Sequence, residues 1–188
     1  MKPKHNAFYG YVIGLAIVSS LLVKLFVNDN VERRDAVAHS ADFFSVGYQK
    51  WQMNAQGGLE THLTANKMTH YSDDGTMQLE NPLMFFYNAP HPAWQIQSET
   101  GELSEDGATL WLNGKVAIER AASPHGRELI IHTSNLIVTP QTHFAQTSEF
   151  TELRSGKNIT TGQGMKATFN APVHLELLAK VHGIYDKK

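Results

Sequence analysis

Short apolar segments separated by turn-forming residues run from about residue 46 to the end of the chain. The segments are rich in Thr, Leu, Ile, Phe and Trp, and Gly, Asn, Asp and Pro stand between them. Because no helical periodicity lies between the segments, the pattern predicts an all-β sandwich, barrel or solenoid. The predicted strands cover 59–64, 75–79, 83–87, 93–98, 110–112, 116–119, 129–133 and 136–139.

The stretch DGATLWLNGKVAIE, residues 106–119, does not alternate as a half-buried strand should. Its residues 110–112 are all apolar, and so are residues 116–118. The Asn113-Gly114 pair predicts a tight turn that reverses the chain between two short strands. Apolar side chains on both faces are expected if one face packs against protein and the other holds an apolar ligand.

Strand geometry assigns the side chains of this stretch to faces. Leu110 and Leu112 share one face, together with Val116, and Trp111 points to the opposite face or to the rim of the sheet. Leu110, Leu112 and Val116 are therefore expected to line an apolar slot. The sequence leaves open which of the two faces is the slot.

A weak internal repeat has a period near 33 residues. The segment SDDGTMQLENPL at 72–83 resembles SEDGATLWLNGKV at 104–116, and Leu79 matches Leu112. Short strands at such a period predict stacked β layers whose end strands are unpaired. An unpaired end strand can receive a strand from another protein.

A third and fainter copy of the repeat lies at 139–150, where Phe144 takes the place of Leu110.

The C-terminal stretch VHLELLAKVHGIY, residues 173–185, fits two structures. Val173, Leu175 and Leu177 alternate as in a strand, whereas the spacing around Val181 partly fits a helix. The preceding strands favour the strand.

The N-terminal residues 8–27, FYGYVIGLAIVSSLLVKLFV, contain a single charge at Lys24. Twenty helical residues rise roughly 30 Å, which matches the hydrocarbon core of a bilayer. A transmembrane helix is favoured over a cleaved signal peptide, because the apolar run exceeds the usual ~7–15 residues. Residues 28–45 are predicted as a juxtamembrane linker. The flanking charges leave the orientation of the helix open.

Composition and motifs argue against several functions. The net charge is −2 and no basic run is present, so nothing indicates nucleic-acid binding. The chain has no cysteine, which excludes disulfides and thiolate chemistry. The ten histidines are scattered and form no HExxH or Cys/His cluster, so neither a metal nor a cofactor is expected. No catalytic arrangement emerges, and the chain is not expected to be an enzyme.

Four longer stretches resemble the LptC family, the bitopic inner-membrane component of lipopolysaccharide export in Gram-negative bacteria. Their elements YSD at 71–73, WQI at 94–96, LNGKV at 112–116 and TSE at 147–149 stand in a similar order and spacing. The similarity covers nearly the whole chain, although the anchor and linker match only in character. The stretches are 57–87, 93–120, 133–150 and 164–186.

This resemblance implies an antiparallel β-jellyroll of two sheets in a V, with an apolar interior and one N-terminal transmembrane helix. Residues 1–7 would be cytoplasmic, and residues 46–188 would form a periplasmic domain. The chain would receive lipopolysaccharide from the LptB, LptF and LptG transporter through its N-terminal edge and transmembrane helix. It would then pass the lipid to LptA through β augmentation at its C-terminal edge.

Two groups of residues are candidates for these roles. The predicted lipid groove contains apolar residues at repeat-equivalent or alternating positions, and Tyr48 at the N-terminal edge, where it meets incoming lipid. The predicted LptA interface contains the C-terminal strand and Gly156, where a larger side chain could tilt the final strands. The groove residues are Tyr48, Leu79, Phe86, Leu112, Ile131 and Leu175. The interface residues are Gly156, Val173, Leu175, Leu177, Val181 and Tyr185.

Two other functions remain open from the sequence. The chain could be a structural or assembly factor of an inner-membrane complex that carries no lipid, or, with less support, a lipid-modifying enzyme. The anchor could also regulate the transporter, since Gly10, Gly14, Ser19 and Ser20 permit close helix packing.

Overall fold

The structure is a computed structural model that describes residues 11, 13–22, 40–88, 91–124 and 126–186. The chain divides into two compact units, residues 1–38 and residues 39–188. In the first unit, residue 11 and residues 13–22 are helical. Within the described ranges, no helix is long and apolar enough to cross a membrane. The remainder of the predicted span 8–27, and residues 28–39 of the predicted linker, lie outside the described residues.

The second unit is built from antiparallel strands, as the sequence predicts. Alternating apolar residues and dense turn signals favour strands over helices here. The sheet order is β1-β2-β3-β5-β6-β7-β8-β9-β10, and β4 pairs with β2 and β5. The strands are β1 Ala41–Met53, β2 Leu59–Tyr71, β3 Met77–Glu80, β4 Leu83–Asn88, β5 His91–Leu103, β6 Leu110–Arg120, β7 Leu129–Thr139, β8 Phe144–Ser155, β9 Asn158–Thr168 and β10 His174–Ile184.

The prediction of a chain reversal at Asn113-Gly114 is wrong. Strand β6 continues through the pair, which forms a bulge between the pairings of Leu112 with Leu136 and of Lys115 with Ser134. Gly114 has a φ of 73°, and its N–H donates to Asn135 Oδ1 at 3.0 Å. The left-handed conformation that suits a tight turn also suits a bulge, so the dipeptide by itself does not distinguish them.

Similar irregularities cross the sheet beside this bulge. The pairing register shifts on β5 between Ser98 and Thr100, and on β8 between Thr147 and Phe150. At the same level of the sheet, Asn81 lies between the end of β3 and the start of β4 and has a φ of 51°. Bulges bend strands and increase their twist. This line of bulges therefore divides the sheet into two halves.

We call these parts the β3 half and the β4 half, after the short strand that each contains. The β3 half comprises 67–71, 77–80, 100–103, 110–112, 136–139, 144–147 and 165–168, and the β4 half comprises 59–64, 83–88, 94–98, 116–120, 129–133, 150–155 and 158–163. The inner side chains of both halves belong to one hydrophobic core. The halves therefore face each other, as in a β-jellyroll.

The repeat predicts the inner face correctly in two of its three copies. Leu79 and Leu112 are both buried in the core of the β3 half. In the third copy, Ala145 rather than Phe144 corresponds to Leu110, since both pair with Val138 on β7. The 3₁₀ turn Pro140–Thr142 precedes β8. The residue of the third copy that matches Leu110 in the sheet therefore stands one position later than the sequence alignment of the copies places it.

The face assignment of the opening stretch of β6 is confirmed. Leu110, Leu112 and Val116 are all buried on the inner side, whereas Trp111 is 36% exposed on the outer side. The strand interpretation of the C-terminal stretch is confirmed by β10. Strands β1 and β10 end the sheet order, so the predicted open ends are present.

Removing one inner side chain should destabilise this unit strongly. Ile118 is fully buried in the β4 half. We expect Ile118→Ala to lower the free energy of unfolding by about 2–5 kcal/mol, because the close-packed core is left with a cavity. Urea unfolding of the full chain in detergent would measure this. The neighbouring exposed Glu119 supplies the control, and Glu119→Ala should change the unfolding free energy by less than about 0.5 kcal/mol.

Candidate binding interior and sheet edges

The predicted groove residues line both walls of the interior. Leu79 and Leu112 come from the β3 half, and Phe86 and Ile131 come from the β4 half. Each of these four side chains is at most 1% exposed. Strand alternation brings them together, because every second residue of each strand points to the same side.

The interior is closed in this conformation. The four wall side chains contact protein rather than solvent, so the apolar slot that the sequence predicts is filled by protein side chains in this structure. Apolar contacts are non-directional and scale with buried area. Lipid could therefore replace protein contacts between the halves with little loss of apolar burial. Separation of the halves would produce the apolar slot that the sequence predicts.

Leu175 and Tyr48 lie near opposite ends of the sheet. Leu175 on β10 and Tyr48 on β1 are partly buried and pack against the core. Burial raises the pKa of the Tyr48 hydroxyl, because the phenolate would lose hydration. Tyr48 therefore joins the N-terminal edge strand to the apolar interior.

At one margin of the interior, which we call the seam, aromatic side chains of the β4 half meet Phe169, the residue that directly follows the β9 segment of the β3 half. Phe169, which follows β9, stacks on Phe86 with ring centroids 5.4 Å apart. Its centroid also lies 5.0 Å from that of Trp94. The Asn88 side chain of β4 donates from Nδ2 to the carbonyl oxygen of Phe169 at 3.3 Å. These contacts hold the two halves together.

His143 forms a second connection at the seam. Its ring lies 4.7 Å from the Phe86 ring, and its Nδ1 donates to Asn170 Oδ1. Its Nε2 is buried and lies 3.8 Å from Glu60 Oε1 of β2. Burial lowers the pKa of His143 because the imidazolium would lose hydration, and the charge of Glu60 partly opposes this effect. A neutral His143 therefore fits the closed seam.

Buried hydroxyl groups also belong to the interior. The hydroxyls of Thr133 and Thr151 lie 3.1 Å apart, and Thr133 Oγ1 also donates to the carbonyl oxygen of Phe150 at 3.1 Å. Thr147 Oγ1 donates to the carbonyl oxygen of Ser134 at 2.8 Å. Because these hydroxyls have protein partners, they can be buried without a large desolvation cost. These threonines are not among the site residues predicted from the sequence, although they occupy inward positions of alternating strands.

The terminal strand β1 exposes several large apolar side chains. Five of its side chains are at least half exposed, namely Phe43, Phe44, Val46, Trp51 and Met53. His70 of β2 fixes the start of the strand, since its Nδ1 lies 2.7 Å from Asp42 Oδ1 and its ring stacks on Phe43. The hydrogen bond from His70 lowers the pKa of Asp42.

The predicted interface residues on β10 and directly beside it divide into two sets. Val181 and Tyr185 are 53% and 68% exposed, and Val173 is also exposed. Leu175 and Leu177 instead pack partly against the core. The outward set is available to a partner, whereas the inward set closes the interior at this end of the sheet.

Gly156 lies in the two-residue hairpin between β8 and β9, where Ser155 pairs with Asn158. A Cβ atom at Gly156 would meet nothing within 4 Å, so crowding by neighbouring atoms does not account for a glycine at this position. Its φ of 59° supplies another reason, because a positive φ at the first position is typical of a type II′ turn and favours glycine.

The comparisons with known proteins agree with this geometry. The family model described as "Lipopolysaccharide-assembly, LptC-related" matches residues 11–186. No curated protein gives a significant match. Among solved structures, the chain is similar to LptH of Pseudomonas aeruginosa, described as the LptA-homologous periplasmic component of the lipopolysaccharide transport device. That match has a TM-score of 0.52 at 7% identity and covers 68% of this chain and 95% of LptH.

The likeness to LptH concerns the fold alone at such low identity. The family match rests on sequence and covers most of the chain, including the described helical residues and all ten strands. The chain belongs to the LptC-related family of lipopolysaccharide-assembly proteins.

Proposed function

We propose that this chain is a membrane-anchored carrier in lipopolysaccharide transport. It receives lipopolysaccharide from the LptB, LptF and LptG transporter at its β1 edge and passes the lipid to LptA at its β10 edge. Residues 8–27 anchor it as a single-pass helix in the inner membrane, with residues 1–7 in the cytoplasm. Residues 46–188 act in the periplasm. The family match and the LptA-like fold support this role.

The observation that carries the proposal is an apolar interior with an unpaired strand at each end of the sheet. One twelve-carbon acyl chain costs roughly 10 kcal/mol to expose to water, at about 0.8 kcal/mol for each CH₂ group. A carrier therefore has to cover the chain throughout its passage. Each unpaired end strand can extend the sheet into a neighbouring protein and so continue the covered path.

The nature of the interior also fits transfer rather than storage. The wall side chains hold lipid through non-directional contacts, which are strong only in sum. A carrier must release its lipid to the next protein, so tight polar recognition along the whole path would slow transfer. We propose no chemical change of the lipid, and therefore no enzymatic step.

Photo-crosslinking tests the assignment of the inner face. A photoreactive amino acid at Leu112 should crosslink to lipopolysaccharide in cells, because this buried side chain lies on the wall of the interior. The same amino acid at Trp111 should give at most about a tenth of that yield, since the adjacent side chain points outward. The crosslinked species would be quantified by immunoblotting for lipopolysaccharide.

Equal yields at the two positions would contradict the assignment of the inner face. No lipid at either position, in protein that still assembles with the transporter, would favour the assembly factor that carries no lipid. A chemically altered lipid released from the crosslink would instead indicate a modifying enzyme. The two positions are neighbours on one strand, so differences in expression or accessibility to the transporter are minimised.

A further inference from the structure

An arginine ends the inward row of β6. Val116 and Ile118 point into the core, and alternation places Arg120 on the same face. Arg120 pairs across the sheet with Trp94, whose side chain is also inward and 1% exposed. The guanidinium carbon lies 4.7 Å from the centroid of the Trp94 ring. A cation therefore lies where the apolar wall of the β4 half ends.

The guanidinium is held in place by its surroundings. The Trp94 ring supports one side through a cation–π contact. A Cβ atom at Gly126 would lie 3.4 Å from Arg120 Nη2, so the turn between β6 and β7 approaches the guanidinium closely. In the described part of the chain, no carboxylate forms an ion pair with Arg120. The N–H donors of the Arg120 guanidinium are thus available to a ligand.

Arg120 faces a cleft of about 230 Å³ at the seam. One wall comes from the β4 half, with Asn88 and Arg120, and the other comes from residues 171–173 of the loop between β9 and β10. None of the described residues that line the cleft is acidic. The cleft thus lies between the β4 half and the loop that follows β9, beside the contact of Trp94 with Phe169.

We propose that Arg120 and this cleft bind a phosphate monoester on the headgroup of the lipid whose acyl chains occupy the interior. A guanidinium binds phosphate through paired, charge-assisted hydrogen bonds, and a cleft without carboxylates does not repel the anion. Acyl chains between the halves would bring the headgroup to the seam. This inference rests on the proposed carrier function and adds recognition of the phosphorylated headgroup to it.

The test uses the full chain in a non-ionic detergent, with bisphosphorylated lipid A and its dephosphorylated form as probes. The unmodified protein should bind the phosphorylated form about tenfold more tightly, as expected for a charge-assisted hydrogen-bonded pair. Arg120→Gln should abolish this preference while affinity for the dephosphorylated form is kept. Arg120→Lys should keep part of the preference, because it retains the charge without the planar guanidinium.

Arg127→Gln is the matched control, since Arg127 is exposed, carries the same charge and is absent from the cleft. It should keep the full preference. Inorganic phosphate should not displace phosphorylated lipid A, which distinguishes the headgroup from free phosphate. Displacement by inorganic phosphate, or equal affinity of the unmodified protein for both lipids, would overturn the headgroup site but leave the carrier function intact. Failure to bind either lipid would overturn the carrier function as well.

Discussion

Replacing Val181 and Tyr185 by aspartate should separate the chain from LptA. Val181 lies on the terminal strand β10 and Tyr185 directly follows it. Both side chains are exposed, so the double variant should fold normally. Each apolar side chain buried in a strand-to-strand interface contributes about 1.5–3 kcal/mol, so losing both should weaken binding at least tenfold. Introduced carboxylates would also lose hydration at the interface. Co-purification of LptA with the full chain would measure the loss.

The opposite edge supplies a reciprocal control. Val46 on β1 is 75% exposed, and Val46→Asp places one carboxylate on the other terminal strand. This variant should retain LptA and lose association with LptF and LptG. Loss of both partners from either variant would indicate a general defect rather than two separate edges. Full retention of LptA by the β10 variant would contradict the proposed direction of transfer.

Local sequence patterns predict much of this fold. The Gly and Asp residues between the apolar segments do form turns at Asp74-Gly75 and Asp106-Gly107, because the Gly75 N–H donates to the carbonyl oxygen of Tyr71 and the Gly107 N–H donates to that of Ser104. Alternation also places Leu79 and Leu112 on the inner face. These features depend on neighbouring residues, so a short stretch of sequence contains the information that determines them.

The bulges show where local patterns become ambiguous. The sequence predicts two short strands around Asn113-Gly114, whereas the structure has one long strand that bends there. Whether a left-handed dipeptide reverses or bends a strand depends on its neighbours in the sheet. Here Asn135 accepts the Gly114 N–H from the adjacent strand β7, a contact that the stretch itself does not contain.

The seam depends on residues that are distant in sequence. Phe169 follows β9, yet its ring packs against Phe86 of β4 and Trp94 of β5. No periodicity within a strand specifies such a contact. Arg120 is different, because it continues the inward alternation of Val116 and Ile118. The sequence pattern therefore indicates that Arg120 points inward, although Arg120 is not among the site residues predicted from the sequence.

Locking the seam should prevent lipid from loading. Glu60 belongs to the β4 half and His143 to the turn before β8, and their side chains lie 3.8 Å apart at Oε1 and Nε2. The chain has no cysteine, so Glu60→Cys with His143→Cys gives one defined pair of thiols. A short bis-methanethiosulfonate, which forms a reducible disulfide with each thiol and releases methanesulfinate, would tether the two sides of the seam. Crosslinking of lipopolysaccharide to a photoreactive residue at 112 should fall at least about tenfold, because the halves must part to admit acyl chains.

Reduction of the linker should restore loading in the same sample, which separates locking from damage by the substitutions. A second tether between Lys67→Cys and Glu80→Cys joins two strands of the β3 half, where the native side chains form a 3.2 Å ion pair. This tether leaves the seam free and should not reduce loading. Normal loading of the seam-locked protein would mean that acyl chains do not enter between the halves. The buried walls would then be an ordinary protein core, and the two sheet edges would support an assembly factor rather than a carrier.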